Sequence, residues 1–123
     1  MKTILLVDDS TTILMSMGDI LAKAGFQVEQ ANNAEAALSK LNGGLKPALM
    51  ITDLNMPGMN GIDLIKAVRK LPAMRFTPIL MLTTESQQQM RDAGKAAGAT
   101  GWLVKPVSAD QLMGVIKQVL PGS

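Results

Sequence analysis

Short apolar runs alternate with segments of helical periodicity along the whole chain, and this alternation restricts the fold more than any other feature of the sequence. Short runs separated by helical segments are typical of parallel strands joined by crossover helices. The predicted strands cover residues 3–7, 26–30, 48–52, 78–82 and 101–104. The sequence therefore predicts an α/β fold with a doubly wound five-stranded parallel sheet, and residues 1–123 form a single domain.

Apolar residues three or four positions apart predict a helix after each strand. Four of these helices have clear apolar stripes, over residues 13–21, 34–41, 62–68 and 112–119. Asn32 and Glu35 have the spacing of a capping box, as do Ser108 and Gln111. The helix over residues 86–97 has a thin apolar face and an interior glycine, Gly94, so we expect it to be held weakly.

The second apolar run differs from the other four. Residues 26–30 alternate apolar and polar side chains, whereas the other runs are almost continuously hydrophobic. Parallel strands that are buried on both faces have continuous runs, and an alternating run suits a strand at the edge of the sheet. This difference favours the strand order 2-1-3-4-5, one of the two common doubly wound arrangements.

Polar residues follow the four strands that are neighbours in this order. Asp8 and Asp9 follow the first strand, and Asp53 follows the third. Thr83 follows the fourth strand, and Lys105 follows the fifth. Doubly wound folds bind ligands at the carboxyl ends of their strands. We therefore expect three carboxylates, a hydroxyl and an ammonium group to converge in one crevice.

Taken singly, each of these residues has an ordinary explanation: an aspartate before a helix often caps it, and a lysine after a strand is usually solvated. Together they are harder to explain without a cation. Two carboxylates ~4 Å apart repel each other by about 4 kcal/mol at an effective dielectric constant of ~20. Oxygen ligands with positions left for water suit Mg²⁺, and Mn²⁺ is an alternative. Asp53, on the middle strand, is placed to attack a phosphorus atom while a metal ion and Lys105 neutralise its oxygens.

The composition excludes several other kinds of chemistry. The chain has no cysteine and no histidine, which excludes disulfides, thiolate metal sites and an internal phosphohistidine. A phosphoryl group must therefore arrive from another protein or from a small phosphodonor. The net charge of +2 is too small for a nucleic-acid partner, and no apolar run is long enough to span a membrane. We expect a cytoplasmic protein without a membrane partner.

Four segments give the chain a resemblance to the receiver domains of two-component response regulators, in particular to the single-domain chemotaxis type. They are VDDS (7–10), TDLNMPGMNG (52–61), LTT (82–84) and GATGWLVKP (98–106). The resemblance implies that Asp53 is the phosphoacceptor. It also implies that Asp9, Asp53 and the backbone carbonyl of Asn55 bind Mg²⁺ directly, while Asp8 holds it through water.

The resemblance assigns roles to further residues. Lys105 contacts the phosphoryl group and forms a cis peptide bond with the following proline. Thr83 moves toward the phosphoryl oxygen, and the aromatic residue at position 102 turns inward behind it. This position is usually tyrosine, phenylalanine or histidine, so Trp102 departs from the family pattern. Asn55 and Glu85 match positions that tune the lifetime of the phosphoryl group.

The resemblance also implies the partners. A histidine kinase, of the chemotaxis type, donates the phosphoryl group, and an effector such as a flagellar motor switch protein binds the face formed by helix 4, strand 5 and helix 5. The protein is expected to be a monomer, and it is a phosphoacceptor that assists its own phosphotransfer and dephosphorylation rather than an enzyme. Because the chain stops soon after its last helix, we favour a stand-alone switch. The alternatives are a relay intermediate, a phosphate sink or the receiver part of a longer regulator.

Two other classes share parts of this pattern. A flavodoxin-like module that binds FMN needs a phosphate cradle after the first strand, where Asp8 and Asp9 would repel a phosphate. A phosphatase that works through an aspartyl phosphate generally has a second carboxylate two residues after the nucleophile, and this chain has Asn55 there. Both alternatives rank below the receiver.

Overall fold

The computed structural model describes residues 2–84 and 88–120, which form five strands, five α-helices and one short 3-10 turn at Pro72–Met74. The strands are β1 (Thr3–Val7), β2 (Gln27–Ala31), β3 (Leu49–Asp53), β4 (Ile79–Thr83) and β5 (Gly101–Val104). The helices are α1 (Thr11–Lys23), α2 (Ala34–Asn42), α3 (Gly61–Arg69), α4 (Gln88–Ala97) and α5 (Ala109–Val119). The first and last strands were predicted correctly, and the other three were placed one residue too early. Among the described helices, none is long and apolar enough to cross a lipid bilayer.

The five strands form one parallel sheet in the order β2-β1-β3-β4-β5. This confirms the predicted fold class and strand order. It also confirms that the alternating second run lies at an edge, where Gln27 and Gln30 are exposed. In contrast, every residue of β3 and β4 is buried.

Helices cover both faces of the sheet, and each face has its own hydrophobic cluster. On one face, Leu5 and Met81 pack with residues of α2 and α3. On the other face, Ile4 and Leu80 pack with residues of α1 and α5. Because successive side chains of a strand point to opposite faces, both faces of β1, β3 and β4 need apolar residues. Burial on both sides explains why these runs are continuously hydrophobic.

Side chains cap the N-termini of four described helices. The capping residues are Ser10, Asn33, Asn60 and Ser108. At α5 the Ser108 Oγ accepts from the Gln111 backbone N–H at 3.1 Å, and the Gln111 side chain accepts from the Ser108 N–H at 3.2 Å. The predicted capping box of α5 is therefore confirmed.

The predicted capping box of Asn32 and Glu35 is wrong. Asn33 caps α2, because its Oδ1 accepts from the Ala36 N–H at 2.7 Å. Asn32 and Asn33 have the same capping chemistry, so the sequence alone does not separate them. The choice depends on where α2 meets the sheet, and the helix begins at Ala34, which is fully buried.

The interior glycine of α4 has a packing role. Gly94 is buried, and a Cβ at this position would overlap the side chain of Met81 on β4. Met81 itself is fully buried. The missing side chain therefore lets α4 lie close to the sheet, which the helix propensity of glycine does not reveal.

Arg69 joins three segments at the end of α3. Its Nε and Nη2 donate to the Gly98 carbonyl at 3.1 and 2.8 Å, and its Nη1 donates to the carbonyls of Met74 and Thr77 at 2.6 and 2.7 Å. Gly98 has a φ of +117°, which favours glycine. The guanidinium thus connects α3 to the chain before β4 and to the turn after α4.

Charged residues are distributed unevenly along the helices. Each described α-helix has a basic residue in its last turn: Lys23, Lys40, Lys66 with Arg69, Lys95 and Lys117. Three helices have an acidic residue in the first turn: Glu35, Asp63 and Asp110. Both placements are favourable to the helix dipole.

Candidate functional site

Four neighbouring strands end at the same edge of the sheet. Val7 of β1 pairs with Thr52 of β3, and Asp53 at the end of β3 pairs with Leu82 of β4. Thr83 then ends β4 beside β5. The structure therefore brings together the residues that end or follow these strands: Asp8, Asp9, Asp53, Thr83 and Lys105.

Three carboxylates form a compact acidic cluster at this edge. One oxygen from each of Asp8, Asp9 and Asp53 lies within 4.8 Å of the others. Asp8 and Asp53 are 1% and 5% exposed, whereas Asp9 is exposed. The cluster is thus open to solvent on one side, which leaves access for a metal ion or a substrate.

Lys105 supplies the positive charge that the cluster needs. Its Nζ lies 2.9 Å from Asp53 Oδ1 and 3.2 Å from Asp8 Oδ2. Its backbone N–H donates to the Thr83 carbonyl at 2.7 Å, which fixes the chain as it leaves β5. The following Lys105–Pro106 peptide bond is cis.

The pKa values of both groups in the Lys105–Asp53 ion pair are raised, but for different reasons. Burial raises the pKa of the Asp53 carboxyl, and the charges of Asp8 and Asp9 add to this effect, while Lys105 acts against it. Burial acts to lower the pKa of the Lys105 ammonium, but its hydrogen bond to Asp53 and the charges of Asp53 and Asp8 outweigh burial and raise it. Negative charge at Asp53 therefore remains costly even beside the Lys105 ammonium.

The hydrogen bonds of Asp8 leave one of its oxygens available. Its Oδ1 accepts from the Ser10 backbone N–H at 2.9 Å. Its buried Oδ2 accepts no hydrogen bond from any residue that the structure describes, although the Lys105 charge is 3.2 Å away. A buried carboxylate oxygen without a donor, inside a set of hard oxygen ligands, fits a site for Mg²⁺ or Mn²⁺.

Thr83 and Asn55 lie at or just after the ends of strands that adjoin the cluster. Thr83 is 1% exposed, and within residues 2–84 and 88–120 its Oγ1 makes only a long hydrogen bond, 3.5 Å, to the Leu103 carbonyl. Asn55 is exposed in the loop after β3. Glu85 lies outside the described residues.

Trp102 is separate from the acidic cluster. It lies on β5, is 38% exposed, and pairs in register with Met81, two residues before Thr83. The Arg91 guanidinium of α4 lies over its ring, 5.6 Å from the centroid. No local pattern in the sequence predicts that α4 brings Arg91 to β5.

A cavity of about 390 Å³ adjoins the site on the face of the sheet that α1 and α5 cover. Thr12, Ser16 and Met17 of α1 line one side, and Lys105 and Pro106 contribute to the opposite side. This cavity cannot be predicted from the sequence, because it depends on how α1 and the chain after β5 pack together.

Comparisons with known proteins agree with this geometry. The family model of the response regulator receiver domain matches residues 4–117. The chemotaxis protein CheY of Pseudomonas aeruginosa is 36% identical over 117 residues, which are 94% of each chain. A CpxR homolog of Haemophilus influenzae, a transcriptional regulatory protein, is 38% identical over 120 residues, which are 98% of this chain and 51% of that protein.

The fold is also shared with solved structures. The chemotaxis protein CheY4 of Vibrio cholerae superposes with a TM-score of 0.93 at 43% sequence identity, and the match covers 98% of this chain and 99% of that one. The sequence match and the structural match thus both cover nearly all of the chain. This protein belongs to the response regulator receiver domain family.

Proposed function

We propose that this protein is a phosphorylation-activated signalling switch in which Asp53 accepts a phosphoryl group from a histidine kinase. One observation carries the proposal. One oxygen from each of three carboxylates lies within 4.8 Å of the other two, and the Lys105 Nζ lies 2.9 Å from Asp53 Oδ1. An unliganded cluster of this kind is electrostatically costly, and a metal ion and a phosphoryl group relieve the cost. Family membership supports the same conclusion.

The metal would be Mg²⁺, and Mn²⁺ can substitute for it because it has similar ligand preferences. Asp9, Asp53 and the backbone carbonyl of Asn55 would hold the ion directly, and Asp8 would hold it through water. Bound there, the ion would neutralise charge on the phosphoryl oxygens. The buried Oδ2 of Asp8, which accepts no hydrogen bond from a described residue, supports this assignment.

The phosphotransfer step uses Asp53 as a nucleophile. A carboxylate oxygen of Asp53 forms a bond to phosphorus as the bond from phosphorus to the donor nitrogen of a phosphohistidine breaks, and the electron pair leaves with the imidazole. Lys105 contacts a phosphoryl oxygen, for which its Nζ is already placed beside Asp53. The chain promotes its own phosphotransfer and later hydrolysis, with Asn55 and Glu85 tuning the lifetime, and is not an enzyme with a separate substrate.

The switch follows from the position of Thr83. Its hydroxyl has only one long hydrogen bond among the described residues, so moving toward a phosphoryl oxygen costs little. Trp102 then turns inward into the space behind Thr83, on the same face of the sheet. The changed face of α4, β5 and α5 binds the partner.

The pathway that we favour is chemotaxis. Two of the similar proteins carry chemotaxis names and match this chain over nearly their full length. The partners are then a chemotaxis histidine kinase and an effector such as a flagellar motor switch protein. Residues 1–123 act as a single receiver domain, in a monomer located in the cytoplasm, without a nucleic-acid or membrane partner.

A second candidate role is the receiver part of a longer regulator. The observation that favours it is the CpxR homolog, of whose length this chain spans about half. A relay intermediate or a phosphate sink uses the same site chemistry. These roles differ from the first in what binds the phosphorylated face, not in how Asp53 is modified.

The decisive experiment is intact-mass measurement after treatment with acetyl phosphate and Mg²⁺. We expect the mass increase of one phosphoryl group in the wild type and none in Asp53→Asn or in excess EDTA. Asp19→Asn, which changes an exposed carboxylate on α1, is the matched control and should be phosphorylated normally. Phosphorylation of Asp53→Asn, or an unchanged rate in EDTA, contradicts the proposal.

A further inference from the structure

Arg91 of α4 contacts Trp102 on the exposed side of β5. The guanidinium carbon of Arg91 lies 5.6 Å from the centroid of the indole ring. This distance is within the range of ~6 Å in which a cation is attracted to an aromatic face, and tryptophan is the best aromatic partner. The contact joins the helix beside the site to the aromatic side chain of the proposed switch.

Arg91 has no better partner in the described part of the chain. Its Nε is buried without a hydrogen-bond acceptor, and no described carboxylate forms an ion pair with it. Asp92 is its neighbour in sequence but is exposed and not within ion-pair distance. Among the described residues, the indole provides the favourable interaction for this charge, and moving the ring away removes it from a guanidinium whose Nε is buried.

The orientation of Trp102 matters because of what lies on its face of the sheet. Trp102 pairs with Met81, and Thr83 is two residues further along the same strand, so all three side chains point to the α4 side. An inward turn takes the indole away from Arg91 and toward the space behind Thr83. The Arg91 contact exists only when the ring is outside.

We propose that Arg91 is a positioning residue that holds Trp102 in its exposed orientation and so opposes activation. This inference rests on the proposed function, in which Trp102 turns inward when the phosphoryl site is occupied. An interaction made only in the resting state shifts the equilibrium between the resting and active states toward the resting state. It lowers the apparent affinity of any ligand that selects the active state by the same factor. For an exposed cation–π contact this factor is about two- to fivefold.

The test compares Arg91→Gln with Lys95→Gln. Both substitutions remove one positive charge from α4 and keep a similar helix propensity, but Lys95 is exposed, and the cation–π contact described for Trp102 is with Arg91 rather than with Lys95. The first measurement is the apparent affinity for beryllofluoride, an inert stand-in for the phosphoryl group, in saturating Mg²⁺. The second is acrylamide quenching of Trp102 fluorescence in the unphosphorylated protein.

We expect Arg91→Gln to bind beryllofluoride about two- to fivefold more tightly than the wild type and its Trp102 to be quenched less. Lys95→Gln should match the wild type in quenching and bind beryllofluoride no more tightly, since loss of a positive charge by itself weakens anion binding. Arg91→Lys should fall between the wild type and Arg91→Gln. Far-ultraviolet circular dichroism checks that each variant retains its helices.

Three results overturn the inference. The first is an unchanged or weaker affinity of Arg91→Gln for beryllofluoride. The second is that Arg91→Gln increases the affinity for beryllofluoride as much in a Trp102→Leu background as in the wild type. That result means that Arg91 does not act through the indole. The third is a wild type that binds no beryllofluoride, and that result rejects the proposed function together with the role of Arg91. The first two results leave the proposed function intact.

Discussion

Lys105 Nζ lies 2.9 Å from Asp53 Oδ1, so the chain that leaves β5 is tied directly to the proposed phosphoacceptor at the end of β3. The same ammonium is 3.2 Å from Asp8. A metal ion bound at this cluster would therefore neutralise the same carboxylates as Lys105. Each cation would weaken the attraction of the site for the other until a phosphoryl group supplied further negative charge.

This competition predicts opposite effects of Lys105→Gln on two ligands. We expect Mg²⁺ to bind more tightly, by up to about tenfold, equivalent to ~1.4 kcal/mol, because a repelling cation is lost. We expect beryllofluoride in saturating Mg²⁺ to bind more weakly, because its anionic atoms lose a contact. Titration calorimetry measures both affinities. Lys117→Gln removes an equal charge from the last turn of α5 and should change neither, and weaker Mg²⁺ binding by Lys105→Gln would contradict the prediction.

The buried charge of Asp53 predicts how stability depends on pH in the absence of metal. Burial is the largest cause of the raised pKa of Asp53, so the folded protein binds this proton more tightly than the unfolded chain. The free energy of unfolding therefore falls as the pH rises from the unfolded pKa of 3.8 through the higher folded pKa, and it stays lower above that. Ionised Asp53 thus destabilises the metal-free fold at neutral pH.

Asp53→Asn should remove this destabilisation. We expect its free energy of unfolding at pH 7 in EDTA to exceed that of the wild type by on the order of 1 kcal/mol, since Lys105 keeps its ion pair with Asp8. The pH dependence above 3.8 should also be flatter. Urea unfolding between about pH 4 and 8 tests both points. The idea fails if the variant is less stable than the wild type at pH 7, and Asp19→Asn again serves as the control.

The contact between Gly94 and Met81 predicts a coupled effect on α4. Alanine has a helix propensity better than glycine by about 1 kcal/mol, but a Cβ at position 94 overlaps the Met81 side chain. We expect Gly94→Ala to destabilise the wild type by ~1 kcal/mol and to be neutral or stabilising in a Met81→Ala background. A double-mutant cycle of urea unfolding measures this coupling. Gly114→Ala on α5 is the matched control, since a Cβ there has no neighbour within 4 Å, and it should be stabilising. Additive effects at 94 and 81 would reject the packing role.

The hydrogen bonds of Arg69 predict a large loss of stability for Arg69→Met. The substitution keeps most of the aliphatic part of the side chain but leaves the carbonyls of Gly98, Met74 and Thr77 without their donor. We expect a loss of about 2–3 kcal/mol in the free energy of unfolding, measured in urea. Lys66→Met, at an exposed position in the same last turn, should cost far less. Equal losses in the two variants would show that these hydrogen bonds contribute little.

The sequence was most informative where connectivity alone brings residues together. Parallel strands end at one edge, so the strand order was enough to predict that Asp8, Asp53 and Lys105 meet. It was least informative where a contact depends on helix packing. The cap of α2 at Asn33, the closeness of Gly94 to Met81 and the contact of Arg91 with Trp102 depend on where each helix lies on the sheet. Periodicity shows which face of a helix is buried but not which side chain it meets.

The basic last turns of the helices have a consequence for the whole molecule. Helices that connect parallel strands run opposite to them, so these cations collect at one pole, where the strands begin. The acidic cluster and the acidic first turns collect at the other pole. The net charge of +2 conceals this separation. This placement predicts a charge separation along the strands, which would turn the site pole toward a positively charged partner surface before contact.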